Sequence, residues 1–287
     1  MALTIQVVPT AFGLAAVFSW GSSDFLGGFA SRRANAYFLT AISHAGGLVL
    51  ALTLALATHA VFPPTVSVLW AMLGGACGGA ALALFYSALA TGQMGLTAAV
   101  AAVVGAAIPA VVGIFVDGLP GALALAGFVL AAIGIWLIAR PDGRGLSSRG
   151  LATAVVCGVG FACFYIFSHR AGDVSAFWTA ACSRFAALVV VSGIVLAGSH
   201  VNTASLQTMV PARVGMGIAA GMLDVSGTIC FIRAAQLGRL DSAVMLTSLY
   251  PAITVLLARI FMREHFTRWK LAGIAAALAA VPLIAAG

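Results

Sequence analysis

The stretch LYPAITVLLARIFMREHFTRWKLAGIAAALAAVPLIA, Leu249–Ala285, holds two apolar runs around a short connection that gathers Arg263, Glu264, His265, Arg268 and Lys270. The runs extend over Ser242–Phe261 and Trp269–Gly287. A helix rises about 1.5 Å per residue and the hydrocarbon core of a bilayer is about 30 Å thick, so roughly 20 apolar residues cross it. The stretch reads as two membrane-spanning helices joined by a charged turn.

The same pattern fills the rest of the chain. Further spans are expected at Pro9–Ala30, Tyr37–Ala57, Val68–Ala90, Gly95–Val116, Gly121–Ala139, Gly150–Ser168, Ala176–Ala197 and Val214–Gln236. Of the 287 residues, 62% are hydrophobic and 7% charged, where a soluble domain carries about 25% charged. The expected fold is an all-α polytopic membrane protein of ten transmembrane helices. The longest connections, around Arg140–Arg149 and Ser199–Arg213, leave no room for a soluble domain. That excludes a pump driven by ATP hydrolysis.

Sliding the chain on itself gives a repeat. At an offset of 146, Phe85 meets Phe231, Ala88 meets Ala234, Gly92 meets Gly238, and Leu125–Ala126–Gly127 meets Leu271–Ala272–Gly273. An offset of 140 aligns Ser43 with Ser183 and Leu48–Val49 with Leu188–Val189. The division falls into residues 1–140 and 141–287, five spans each. Five is odd, so the second set enters the bilayer inverted, as in many secondary transporters. Because the repeat is internal, a monomer is expected to suffice.

The net charge is +7, but the basic residues sit in short connections and form no stripe for nucleic acid. Odd-numbered connections carry ten of them: Arg32, Arg33, Arg140, Arg144, Arg149, Arg213, Arg259, Arg263, Arg268 and Lys270. The opposite side carries three, Arg170, Arg233 and Arg239. Positive charge stays in the cytoplasm, so both termini are expected outside it. Arg outnumbers Lys thirteen to one, which points to a GC-rich bacterial genome and hence to a bacterial inner membrane.

The closing stretch resembles the last two helices of EamA-type members of the drug/metabolite transporter superfamily. Pro251 inside the ninth span, Glu264 at the membrane edge and Gly273 in the tenth occupy the family's positions, as does Trp20–Gly21 in the first. Pro109 and Gly127 echo them in the first half, where Gly118, beside Asp117, stands at the glutamate's place. The resemblance implies ten helices and transport of a small solute. It also implies termini inside the cytoplasm, against the charge count, and the charges act directly on insertion.

Ionisable side chains within the bilayer are costly and are read as functional. Four qualify: Asp24, His44, Arg184 and Asp224. Asp24 has Trp20 one turn before it and Gly27 and Gly28 one turn after, a carboxylate beside an indole, and such a pair holds an organic cation. An acid at that depth can also take up and release a proton. The plainer reading is a structural pair with Arg184, and the same alternative applies to Asp224, whose face carries Gly217, Gly221, Thr228 and Phe231. Arg184 always keeps its charge and must pair, line a wet cavity or clamp a substrate carboxylate. His44, its equivalent by the offset of 140, can relay protons or simply bond a neighbouring helix.

Pro109 and Pro251 each remove a helical hydrogen bond and mark flexion points or plain kinks. The string GGACGG, Gly74–Gly79, reads as a packing face. Tyr86, Tyr165, Trp178 and Tyr250 are candidates for a cavity wall, Tyr86 and Tyr250 by their depth. A central cavity lined by spans 1, 3, 4, 6, 8 and 9 is expected, with spans 5 and 10 at the periphery. Cys77, Cys157, Cys163, Cys182 and Cys230 have no metal-ligand spacing; neither metal nor cofactor is expected.

The function expected is secondary transport of a small organic metabolite or drug by alternating access, as proton-linked export of a cationic or zwitterionic solute. The alternatives are a proton-independent facilitator of amino acids or other metabolites and, in a different class, an intramembrane enzyme using His44 and Asp24. The duplication suits a transporter and offers an enzyme nothing, so no enzymatic activity is expected.

Overall fold

Short polar residues start the helices where the chain turns back. Asn35 accepts a hydrogen bond from the backbone N–H of Phe38, and Ser175 accepts one from that of Trp178; each satisfies a donor that the first helical turn leaves unpaired. In the computed structural model, which describes residues 2–90, 94–139, 148–197, 210–262 and 267–286, the described residues form the helices α1 (Ala2–Ser31), α2 (Ala36–Ala57), α3 (Thr65–Leu89), α4 (Met94–Asp117), α5 (Ala122–Ala139), α6 (Ser148–Arg170), α7 (Ala176–Leu196), α8 (Pro211–Leu237), α9 (Leu240–Thr247), α10 (Tyr250–Met262) and α11 (Arg268–Ala286). Glu264, Gly92, Arg140, Arg144, Arg263, His265 and Gly287, all used above, lie outside the described residues.

Among the described residues, eight helices are long and apolar enough to cross a membrane, with α9 and α10 taken together over Leu240–Met262. The apolar run of α5, Ala122–Ile138, is shorter. The 30-residue α1 is not among the eight; its inner half carries Ser19, Ser22, Ser23 and Asp24. The chain is a multi-pass membrane protein.

The most extensive helix pairs join the two halves of the chain: α1 with α8, α5 with α11, α3 with α6 and α7, and α2 with α7 and α8. Glycine makes these approaches possible. A Cβ on Gly75 would land on the backbone of Ser183, and one on Gly221 on the backbone of Ser43. Ser43 Oγ then donates to the Gly217 carbonyl at 2.8 Å. Lipid gives helices no hydrophobic reason to associate, so close backbone contact carries the pairing. Gly221→Ala is accordingly expected to lower stability by about 1–3 kcal/mol through overpacking. Gly215→Ala on the same helix, where a Cβ meets open space, serves as the control. Unfolding midpoints in detergent check the pair, and equal midpoints would contradict the packing argument.

The two prolines behave differently. Pro109 lies inside an unbroken α4, whereas the ninth span breaks outright: α9 ends at Thr247 and α10 starts at Tyr250 with Pro251 second. At a helix start the missing N–H of proline removes no bond. The hydroxyls of Thr247 and Ser248 donate to the carbonyls of Ala243 and Val244 at 2.8 and 2.7 Å, which satisfies the last turn of α9. Nearby, Arg239 holds the fully buried Asp241 in a two-point ion pair and donates to the Gly118 carbonyl. This ties the α8–α9 turn to the α4–α5 turn.

Candidate functional site

Three contacts fix α1 against the second half at mid-depth. Trp20 Nε1 donates to the Asp224 backbone carbonyl at 3.0 Å, Ser23 Oγ to the Ala220 carbonyl at 2.8 Å, and Gly21 accepts from Thr254 Oγ1 at 3.1 Å. They bring Asp24, on α1, to the same level as Arg184 on α7 and Asp224 on α8.

Arg184 is fully engaged on one side. Its Nη1 donates to Asp224 Oδ2, its Nη2 to Thr228 Oγ1, and His44 Nδ1 stands 3.4 Å from Nη1. A guanidinium offers donors only, so Nδ1 can only accept from it. Asp224 thus has its counter-ion. Asp24, 7% exposed, makes no hydrogen bond and no ion pair among the described residues.

Asp24, Arg184 and Asp224 line one narrow cavity of about 50 Å³, below the roughly 300–1,000 Å³ of sites that enclose a small organic molecule. Its walls come from α1, α3, α6, α7, α8 and α10. Aromatic rings dominate them. Trp20 is the hub, with ring centroids 5.8 Å from Tyr165, 6.4 Å from Phe164 and 6.5 Å from Tyr250. The hydroxyl of Tyr250 is buried without a partner among the described residues.

Several expectations need correction. The fourth span does not line the cavity and the seventh does; α4 packs on α6 and α5, so the proline kink of Pro109 is no guide to the cavity. Tyr86 lies behind the wall. Its ring is received by Gly27 and its hydroxyl sits 3.3 Å from Ser23 Oγ. Trp178 is farther off, donating to the Ala60 carbonyl at 2.9 Å and packed on Phe62. His44 is fully buried and absent from the lining, so the structure does not bring it together with Asp24 as an enzyme pair would need. Gly75, Gly78 and Gly79, read as a packing face only, do both jobs: Gly75 and Gly79 pack on Ser183 and Ala187, and all three line the cavity. Sequence reasoning missed Phe161, Phe164 and Leu82. The available signal was that Gly78 stands where the other half carries Asp224, which leaves room for a ring from α6; a Cβ on Gly78 would meet Phe164 Cβ at 3.1 Å.

A solved crystal structure, described only as that of a protein, is similar in fold with a TM-score of 0.73 and 19% sequence identity, over 96% of this chain and 95% of that one. No curated protein matches the chain. Residues 148–286 match the model of the EamA-like transporter family. In its second half the chain is thus similar to EamA-like transporters, a family of the drug/metabolite transporter superfamily.

Proposed function

We propose that the chain is a secondary transporter of ten membrane helices, two inverted five-helix repeats over residues 1–140 and 141–287, which moves a small cationic or zwitterionic organic solute by proton-linked export. The observation that carries the reading is Asp24: an acid with no partner among the described residues, lining an aromatic cavity between the halves, beside a second acid already neutralised by Arg184. A proton or a cationic solute can satisfy the same carboxylate, and exclusive occupancy couples their movement.

Paired contacts support the repeat. Gly75 on Ser183 has its counterpart in Gly221 on Ser43, related by the offsets of 146 and 140, and Gly127 on Ile284 in Gly273 on Ile138, related by 146 at both positions. The caps Asn35 and Ser175 differ by 140 as well. Two half-bundles related this way can exchange their packing and open the cavity to either side in turn. A monomer suffices for that. The site of action is the bacterial inner membrane, with the end bearing Arg32, Arg33, Arg149, Arg213, Arg259, Arg268 and Lys270 in the cytoplasm and both termini outside. A reporter active only in the cytoplasm, fused after Gly287, should stay silent; strong activity reverses the orientation.

Purified protein in liposomes should accumulate an amine against its gradient when a pH gradient is imposed. Uptake that ignores the pH gradient reduces the protein to a facilitator, and no uptake of any solute refutes transport.

A further inference from the structure

The cavity is chemically lopsided. Its lining includes the carboxylates of Asp24 and Asp224, carried by α1 and α8, and the apolar side chains of Phe161, Phe164 and Leu82, carried by α6 and α3. Two carboxylates against one guanidinium leave one negative charge without a counter-ion. A solute that fits must bring a positive head to Asp24 and lay an apolar body along the rings, where a cation is also drawn to the faces of Trp20 and Tyr165.

An amino acid brings a carboxylate too, and the cavity has no free cation to receive it, only neutral hydroxyls such as those of Ser183 and Tyr250. Arg184 is the cation among the described lining residues. Both terminal nitrogens are spent, Nη1 between Asp224 and His44 and Nη2 on Thr228. Its Nε has no partner among the described residues but exposes under 1 Å² of surface, so it offers a solute no donor. Trp20 Nε1 is likewise used, on the Asp224 backbone. A substrate carboxylate would face Asp24 and Asp224 with no free charged donor, and unpaired charge in a water-poor site is strongly disfavoured.

We propose that the cavity selects an organic monocation with an aromatic or apolar body and rejects the zwitterion that differs from it by a carboxylate. This rests on reading the cavity as the transport site, and narrows the solute from cationic or zwitterionic to cationic alone.

Phenethylamine and phenylalanine differ by that one carboxylate, and 2-phenylethanol keeps the shape of the amine without charge. Calorimetric titration of the full chain in detergent should show phenethylamine binding about ten- to hundredfold more tightly than either, the range of one charge-assisted contact. Asp24→Asn should remove that preference over the alcohol. Phenylalanine or 2-phenylethanol binding as tightly as the amine overturns the proposal, as does failure of the amine to bind. The transport reading fails separately: the amine then binds selectively but does not cross liposome membranes carrying the protein. Conversely, uptake of phenylalanine in preference to the amine keeps transport and overturns the selectivity.

Discussion

Arg184→Met is expected to destabilise the protein by about 3–5 kcal/mol, the cost of leaving one member of a buried ion pair without its partner. Arg184 and Asp224 are both nearly buried, with side chains 7% and 11% exposed, so water cannot replace the lost contact. Thr228 and His44 would lose their shared donor at the same time. The double variant Arg184→Met with Asp224→Leu should recover most of the loss, because an apolar pair of similar volume restores packing with no charge to bury. Heat or denaturant unfolding in detergent measures both. A single variant as stable as the parent would mean that the pair is not formed in the membrane.

Asp24→Asn is expected to do the opposite: little change in stability and loss of coupling. No protein group bonds Asp24 among the described residues, so its amide leaves nothing unpaired. The variant keeps the shape of the site but can neither exchange a proton nor neutralise a cation. Amine uptake driven by a pH gradient should fall about a hundredfold, equivalent to one charge-assisted interaction of about 3 kcal/mol. Proteoliposome uptake with and without the gradient checks this, and undiminished driven uptake would remove Asp24 from the mechanism.

Depth was legible in the sequence; rotation was not. Position along an apolar run gave the level of Asp24, Arg184 and Asp224, and all three meet in one cavity. Which helix face points inward is normally read from the contrast between apolar and polar sides. In a membrane, lipid and protein interior are both apolar and the contrast vanishes. Tyr86 and Tyr250 look alike by depth, yet Tyr250 lines the cavity and Tyr86 is locked behind it against Gly27. For the same reason the sequence left open which acid pairs with Arg184, a choice made by the register of α7 on α8. Asp241 sits beside a turn, where charge is ordinary, so its place in the sequence does not mark its burial under Arg239. Pro251 marked the break between α9 and α10, while Pro109, also inside its span, leaves its helix whole.

The central claim is that one carboxylate holds either a proton or the solute. Proton release on binding measures it directly: phenethylamine is added to the detergent-solubilised full chain in weakly buffered solution, and released acid is counted against bound amine. The account predicts up to about one proton per amine bound by the parent protein in mildly acidic solution, approaching none with Asp24→Asn. Tight amine binding with no proton released from the parent, at any pH between mildly acidic and neutral, would contradict it.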